Sequence, residues 1–412
     1  MVTTKNDQPV YGLKLSSVGP AKVTGSDAIY HPEPMDLAMK LHYLRGVYYF
    51  SAKSVEGLTI PRIKESMFSW FNDYYQTCGR FRRSESGRPY IKCNDCGTRF
   101  IEGKSGMTVD EWLEADDGSL VKMLASQQVI GPEMGFSPPF LIQVTHFKCG
   151  GMAMGFSWAH VLGDAFSASQ CFNSLGRLLS GHVIRNNPGP KKPISTNGKA
   201  HNEIPVRFPS PLSIKQVGAG CDHWVCPGLG NGANAPLFES ICVALWQMVA
   251  RVREDGQDEP RVVTVVSDDE SGRRVHGKLS NSQRISIARA GSPVAVMDPK
   301  ELLDVLVGRK GEENKLIEEA VEKDNGMGDF VLYGANLTFV NLEDGDFYEL
   351  KLHGHKPMFV NYVIQSLGDQ GVVLVLPGTG DEGNDGGRVV TVVLPEKELV
   401  LLKADLKKKV TL

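Results

Sequence analysis

The sequence predicts a mixed α/β protein built from two halves. Residues 140–181 have the pattern of two strands followed by a helix, and residues 236–253 and 371–394 again combine a helix with strands. Between these regions, residues 182–212 are rich in Pro, Asn, Gly and Lys and show no apolar period, which is typical of a long connection. Each half therefore has enough strands and helices for a layered core of its own.

The composition is that of an ordinary globular protein with a net charge of −3. Mixed charges without a basic patch argue against a polyanion-binding role, so we expect no nucleic acid partner. Residues 1–20 contain no apolar segment of the signal-peptide type, and the longest apolar runs, such as residues 371–376, have the length of a strand. We therefore expect a cytosolic chain without a transmembrane segment.

In the first half, the aromatic run at residues 47–50 predicts a strand, and residues 61–78 predict an amphipathic helix. The Asn-Asp-Cys-Gly stretch at residues 94–97 predicts the turn of a β-hairpin between two strand-like segments. Thr108 with Glu111 forms a capping box at the start of a further helix.

Cys93 and Cys96 have the C-x-x-C spacing of a zinc or redox site. No second C-x-x-C and no His pair at ligand spacing accompanies them, so the spacing favours a turn and we expect no metal site. The other cysteines are scattered through a chain that we expect to be cytosolic, where thiols are normally reduced.

The loop at residues 160–164 is the strongest candidate for chemistry. Residues 140–147 and 152–158 alternate as strands do, whereas the apolar residues from Ala165 onwards have helical spacing that Gly181 can close. His160 and Asp164 lie between them, and a histidine is well suited to removing and returning a proton near neutral pH. The alternative is structural: His160 would bond a carbonyl group and Asp164 would cap the following helix.

The second half contains a predicted helix at residues 236–253 and strands at residues 261–267 and 336–342. A C-terminal hairpin is predicted from residues 371–376 and 389–394 around a loop rich in Gly and Asp. The glycines at residues 228–232 lack the register of a phosphate-binding loop. The acidic residues 268–270 lack the spaced ligands of a calcium loop, which favours an exposed turn.

Taken together, these segments resemble the plant BAHD acyltransferase family over nearly the whole chain. The resemblance rests on the His-x-x-x-Asp unit of His160 and Asp164, on residues 78–80 and 93–95, on the helix at residues 238–246 and on the C-terminal end at residues 399–406. It implies two chloramphenicol-acetyltransferase-like domains, at residues 1–181 and 213–412, joined by a crossover linker at residues 182–212. The site would lie in a channel between them.

The resemblance also implies a mechanism. His160 would act as general base on a hydroxyl or amine acceptor while the acceptor attacks the thioester of an acyl-CoA. Asp164 would orient the loop through a charge pair. The sequence gives no strong signal for the groups that would contact CoA, and the candidates are scattered basic residues: Lys191, Lys192, Arg273, Arg274 and Lys278.

The sequence departs from the family pattern at two places. Asp164 is followed by Ala165 where a glycine is usual, and residues 351–357 keep only Lys356 and Pro357 of the second family signature, Asp-Phe-Gly-Trp-Gly-Lys-Pro. The Arg that usually pairs with the motif Asp has only Arg273 and Arg274 as nearby candidates.

In these departures the chain resembles the Eceriferum-two and Glossy-two branch of the family, including its Eceriferum-twenty-six-like members. The resemblance to this branch also rests on residues 35–43, 147–151, 157–160 and 333–342. That branch implies a role in elongating very-long-chain acyl-CoAs for cuticular wax. The partner would be the condensing enzyme of the fatty-acid elongase, a 3-ketoacyl-CoA synthase, at the cytosolic face of the endoplasmic reticulum. We expect a monomer apart from this partner.

Two hypotheses follow from the resemblance. In the first, the chain is an accessory factor whose acyltransferase-like body binds the condensing enzyme, and it has no bound cofactor. In the second, the chain is a working acyltransferase that uses His160 on an acyl-CoA. The eroded residues 351–357 favour the first hypothesis, and the retained His160 and Asp164 favour the second.

Overall fold

The computed structural model describes residues 8–410 except 26, 116–117, 128–137, 182–218, 227–236, 254–258, 269–277, 310–312, 366–367 and 381–386. The predicted linker at residues 182–212 and the glycines at residues 228–232 therefore lie outside the described residues. In the part of the chain that is described, the α/β class with mixed sheets is confirmed.

The strands form two six-stranded sheets and one three-stranded sheet. Their bounds are β1 Val10–Val18, β2 Ile29–Tyr30, β3 Tyr43–Phe50, β4 Arg80–Arg83, β5 Pro89–Lys92, β6 Thr98–Ser105, β7 Phe140–Phe147, β8 Met152–Ala159, β9 Ala219–Cys226, β10 Val262–Ser267, β11 Arg284–Arg289, β12 Leu337–Asn341, β13 Phe359–Gln365, β14 Val372–Pro377 and β15 Arg388–Pro395.

The helices cover the sheets and connect their strands. Their bounds are α1 Pro34–Ala38, α2 Ile60–Asp73, α3 Val109–Glu114, α4 Gly118–Leu124, α5 Ala165–Leu179, α6 Leu237–Val252, α7 Pro299–Val307, α8 Asn314–Lys323 and α9 Glu396–Val410. Across the described ranges, the structure contains no helix that combines the length and the apolar character needed to cross a bilayer.

The first sheet has the order β1-β6-β7-β8-β3-β13. The β6–β7 pair is parallel and the other pairs are antiparallel. Strand β13 lies in the predicted C-terminal domain, residues 213–412, but it pairs with β3 over Phe359 to Gln365. The second half therefore contributes the last strand of the first sheet.

The second sheet has the order β11-β10-β12-β14-β15-β9. Strands β10, β12 and β14 are parallel neighbours, and β14 pairs with β15 as the predicted C-terminal hairpin. Alternate residues of this sheet point in opposite directions, as the strand period requires. Val373 and Val375 pack with α6 and α7, whereas Val372 and Leu374 join a core shared with the first half.

Two local predictions differ from the structure. Residues 94–97 do not form a hairpin turn, because β5 belongs to the three-stranded sheet and β6 to the first six-stranded sheet. Asp95 instead accepts hydrogen bonds from the backbone and hydroxyl of Thr24, which holds this crossing segment in place. The helix predicted at residues 61–78 ends at Asp73, and a short 3-10 turn, Tyr75–Cys78, continues it.

Candidate active site

The loop between β8 and α5 forms as the sequence predicts. Residues His160–Leu162 make one 3-10 turn, α5 begins at Ala165, and Gly181 adopts the positive φ of a residue that follows a helix. Gly163 has φ +150 and approaches the backbone of Ser280 so closely that a Cβ atom would lie 3.0 Å from the Ser280 nitrogen. The loop is therefore fixed against the segment at residues 280–282.

Asp164 caps α5. One carboxylate oxygen accepts the Ser167 amide at 2.9 Å, and the other accepts the Ser282 amide at 3.1 Å. The side chain is 1% exposed. These contacts match the structural alternative for Asp164, because they satisfy a free amide of the first helical turn and tie a second segment to it.

The hydrogen bonds of Asn281 determine the tautomer of His160. The Asn281 amide nitrogen donates to the His160 carbonyl at 2.8 Å and to an oxygen of Asp36 at 2.9 Å. Its oxygen therefore faces His160 Nδ1, at 2.8 Å, and Nδ1 must carry the proton of that bond. This leaves Nε2 with a free lone pair, which is the form of histidine that can accept a proton.

Tyr333 occupies the position in front of that lone pair. Its hydroxyl lies 3.2 Å from His160 Nε2 and donates to it, because Nε2 has no hydrogen. The two rings are 5.3 Å apart, and His160 is 0% exposed. The sequence predicts that His160 faces a channel between the halves. In the structure the imidazole is instead enclosed by Asn281 on one side and Tyr333 on the other.

Burial shifts the ionisation of the groups around this pair. The pKa of His160 is lowered because burial disfavours the imidazolium, although the charge of Asp164 opposes the shift. Burial also raises the pKa of Asp36 to about 6, although three donated hydrogen bonds from Asn281 and Glu33 act in the other direction. At neutral pH, His160 is therefore neutral and Asp36 is largely ionised.

His42 completes the cluster. Its Nε2 accepts the amide of Leu332 at 3.1 Å, and its backbone carbonyl accepts the amide of His160 at 3.0 Å. Burial, and secondly the neighbouring His160, lower the pKa of His42 to about 3. Its ring meets the edge of Tyr333 at 5.0 Å. The cluster thus joins segments from α1, the His160 loop, residues 280–282 and residues 332–333.

The other predicted functional groups lie elsewhere or outside the described residues. Lys191, Lys192, Arg273 and Arg274 belong to the undescribed residues, and Lys278 is exposed. Residues 351–357 form a turn in which Lys351 and Lys356 pair with Glu349. Cys93 is buried and Cys96 is exposed. No three His, Cys, Asp or Glu side chains are grouped to hold a metal ion within the ranges given above.

Comparison with known proteins places the chain in a family. The model of the Transferase family matches residues 34–211. The protein Eceriferum 26 of Arabidopsis thaliana is 38% identical over 422 residues, covering 97% of this chain and 96% of its own. Eceriferum 2 of the same plant is 37% identical, covering 96% of this chain and 98% of its own. The chain belongs to the BAHD acyltransferase family, in its Eceriferum branch.

The fold of this BAHD protein also matches a solved structure. TRI101 of F. sporotrichioides, complexed with coenzyme A and T-2, superimposes with a TM-score of 0.68 at 13% identity. The match covers 92% of this chain and 97% of that one. At this identity the likeness concerns the fold alone.

Four residues of the cluster had no predicted role in the sequence. Asp36, His42 and Tyr333 lie in segments that resemble the Eceriferum branch, but nothing in those segments indicates their contacts. Asn281 gave no signal at all. Their hydrogen bonds connect residues that are separated by between 121 and 290 positions in the sequence, so no local pattern could reveal them.

Proposed function

We propose that this BAHD protein is an accessory factor of very-long-chain fatty acid elongation for cuticular wax. Its partner would be an elongase condensing enzyme, a 3-ketoacyl-CoA synthase, at the cytosolic face of the endoplasmic reticulum. The names of its Eceriferum relatives support the wax context. The observation that carries the accessory role is the hydroxyl of Tyr333 on His160 Nε2.

A general base must come within hydrogen-bonding distance of the proton that it removes. Here the hydroxyl of the chain's own Tyr333 stands in the place that an acceptor hydroxyl would take, and His160 has no exposed area. In this role His160 stabilises the fold, because its ring bonds Asn281 and Tyr333 and its backbone bonds His42. Each such bond contributes on the order of 1 kcal/mol to the free energy of unfolding.

One observation favours a second candidate function, acyl transfer from an acyl-CoA. The Nδ1 proton bound by Asn281 leaves Nε2 in the basic form that the family mechanism needs. If Tyr333 moved away, Nε2 could take the acceptor's proton while the acceptor oxygen bonds to the thioester carbon. The carbon–sulfur bond would then break, and the proton would pass to the CoA thiolate.

The deciding experiment expresses a plant condensing enzyme in yeast with the wild-type chain, His160→Asn or His160→Ala, and measures acyl-chain lengths by mass spectrometry. Asparagine can place an amide nitrogen near the position of Nδ1, so it can keep the bond to Asn281 while removing the base. We expect His160→Asn to lengthen the chains as the wild type does, at matched expression.

The opposite result is equally informative. If only the wild type lengthens the chains, while His160→Asn stays folded and still co-purifies with the condensing enzyme, then proton transfer by His160 is required. The accessory role would be rejected, and acyl transfer would take its place.

A further inference from the structure

The edge strand of the first sheet exposes apolar side chains. In β1, Tyr11 is 39% exposed, Leu13 61% and Leu15 64%. On its other side β1 adjoins β6, and the sheet order ends at β1 within the described residues. Exposed leucines in a row are uncommon on a soluble surface and often mark a contact site.

Two further apolar side chains are exposed on the segment after β1 and on α2. Val23 is 89% exposed and Phe68, in α2, is 43% exposed. The backbone amide of Ala21 bonds the carbonyl of Phe68 at 2.9 Å, which places the segment after β1 directly on α2. We call Tyr11, Leu13, Leu15, Val23 and Phe68 the edge corner.

Three exposed lysines adjoin the edge corner, together with two acids: Asp73 interacts electrostatically with Lys22, and Asp95 accepts hydrogen bonds from Thr24. Lys14, Lys22 and Lys104 are exposed on β1, on the following segment and on β6. The nearby acid Glu102 is paired with Lys64 at 2.7 Å. Lysines beside exposed aliphatic and aromatic side chains suit a surface that is apolar inside and negatively charged outside, which is the boundary of an anionic bilayer.

The geometry of β1 disfavours the other usual partner of an edge strand, which is a strand of a second protein. The pairing register shifts between Tyr11 and Lys14, so the strand has a bulge there, and Lys14 is exposed in the middle of the strand. Bulges and lysines are devices that prevent the addition of a strand at a sheet edge.

We infer that the edge corner docks on the surface of an anionic membrane. The apolar side chains of the corner enter the boundary between headgroups and acyl chains, and Lys14, Lys22 and Lys104 contact lipid phosphates. The choice of a membrane rests on the proposed function, because that function holds the chain beside an enzyme of the endoplasmic reticulum. The inference adds which face of the protein meets the bilayer.

The test measures binding of the purified full chain to vesicles of phosphatidylcholine with phosphatidylserine, by flotation. Leu13→Glu with Leu15→Glu is the test variant, and it should fold because both side chains are exposed. The matched control is Val400→Glu with Leu401→Glu in α9, where the side chains are 62% and 53% exposed.

We expect the test variant to bind at least about tenfold more weakly than the wild type, and the control to bind as the wild type does. Lys14→Glu with Lys22→Glu should also weaken binding, and vesicles of phosphatidylcholine alone should bind less chain. Absence of vesicle binding by the wild type, or equal binding by all variants, would overturn the inference.

The same variants in the yeast assay separate this inference from the proposed function. Vesicle binding is measured without the condensing enzyme, so a failed elongation assay leaves the binding result intact. If the test variant loses elongation while the wild-type chain binds no vesicles, the edge corner contacts a protein instead, and the membrane inference is rejected.

Discussion

Replacing His42 by Gln should remove an acid-sensitive part of the stability. His42 is 0% exposed, and its pKa in the folded chain is lowered to about 3, mainly by burial. The unfolded chain has the ordinary histidine pKa of about 6.5. Because the folded pKa is the lower one, the stabilisation is complete above the unfolded pKa and is lost as the pH falls towards the folded pKa.

The magnitude follows from the two pKa values. As the pH falls from about 7 to 5, the unfolded chain takes up a proton at His42 and the folded chain does not. This uptake lowers the free energy of unfolding by about 2 kcal/mol. Asp36 acts in the opposite direction over this range, because its raised pKa of about 6 makes the folded chain take up a proton. The wild-type profile alone therefore mixes both effects.

The difference between wild type and His42→Gln isolates His42. A glutamine oxygen can accept the Leu332 amide as Nε2 does, and it does not titrate. Urea unfolding at several pH values should show that the stability advantage of the wild type over the variant falls by about 2 kcal/mol from about pH 7 to pH 5. The same substitution at the exposed His353 serves as control. A constant advantage across the range would refute the argument.

Substitutions at three further positions test other contacts of the fold, at two of them by chemical denaturation and at the third by hydrogen exchange. Asn281→Ala should lower the free energy of unfolding by about 3–5 kcal/mol, because it leaves buried groups of Asp36 and His160 without their hydrogen-bonding partner. A loss below about 1 kcal/mol would show that water or a neighbouring group replaces the amide. Asp164→Ala should lower the free energy of unfolding by about 1–2 kcal/mol, because α5 loses its cap. Asp164→Asn should lower it less, since the asparagine oxygen can still accept a hydrogen bond from a backbone amide. Equal losses in the two variants would contradict the capping role. Gly155→Ala places a Cβ atom 1.9 Å from the carbonyl oxygen of Leu124, the last residue of α4. The helix must then shift, so the backbone amides of α4 should exchange their hydrogens faster. Unchanged exchange would show that α4 does not depend on this close approach.

The local elements of the fold could be predicted from the sequence, because each depends on nearby residues. The strands β7 and β8, the capping box of Thr108 and the helix α5 with its cap at Asp164 all follow from short-range periods and capping rules. The C-terminal hairpin of β14 and β15 was predicted for the same reason.

The contacts between distant segments could not be predicted in this way. The turn at residues 94–97 has hairpin residues, but the partner strands of β5 and β6 are decided by packing between sheets. The sequence identified His160 as a candidate base, yet Tyr333, which lies on its Nε2, is 173 positions away. The assignment of His160 as general base remains a prediction that the yeast assay tests.

The position of β13 has a consequence for the synthesis of this protein. Strand β3 lies in the middle of the first half and is fully buried, and its outer edge is covered by β13, whose residues are made more than 300 positions later. The other five strands of this sheet are complete at Ala159, so during translation its edge at β3 stays open until β13 begins at Phe359. Open edges invite pairing with other chains, so we expect the nascent protein to be prone to aggregation until β13 has been made.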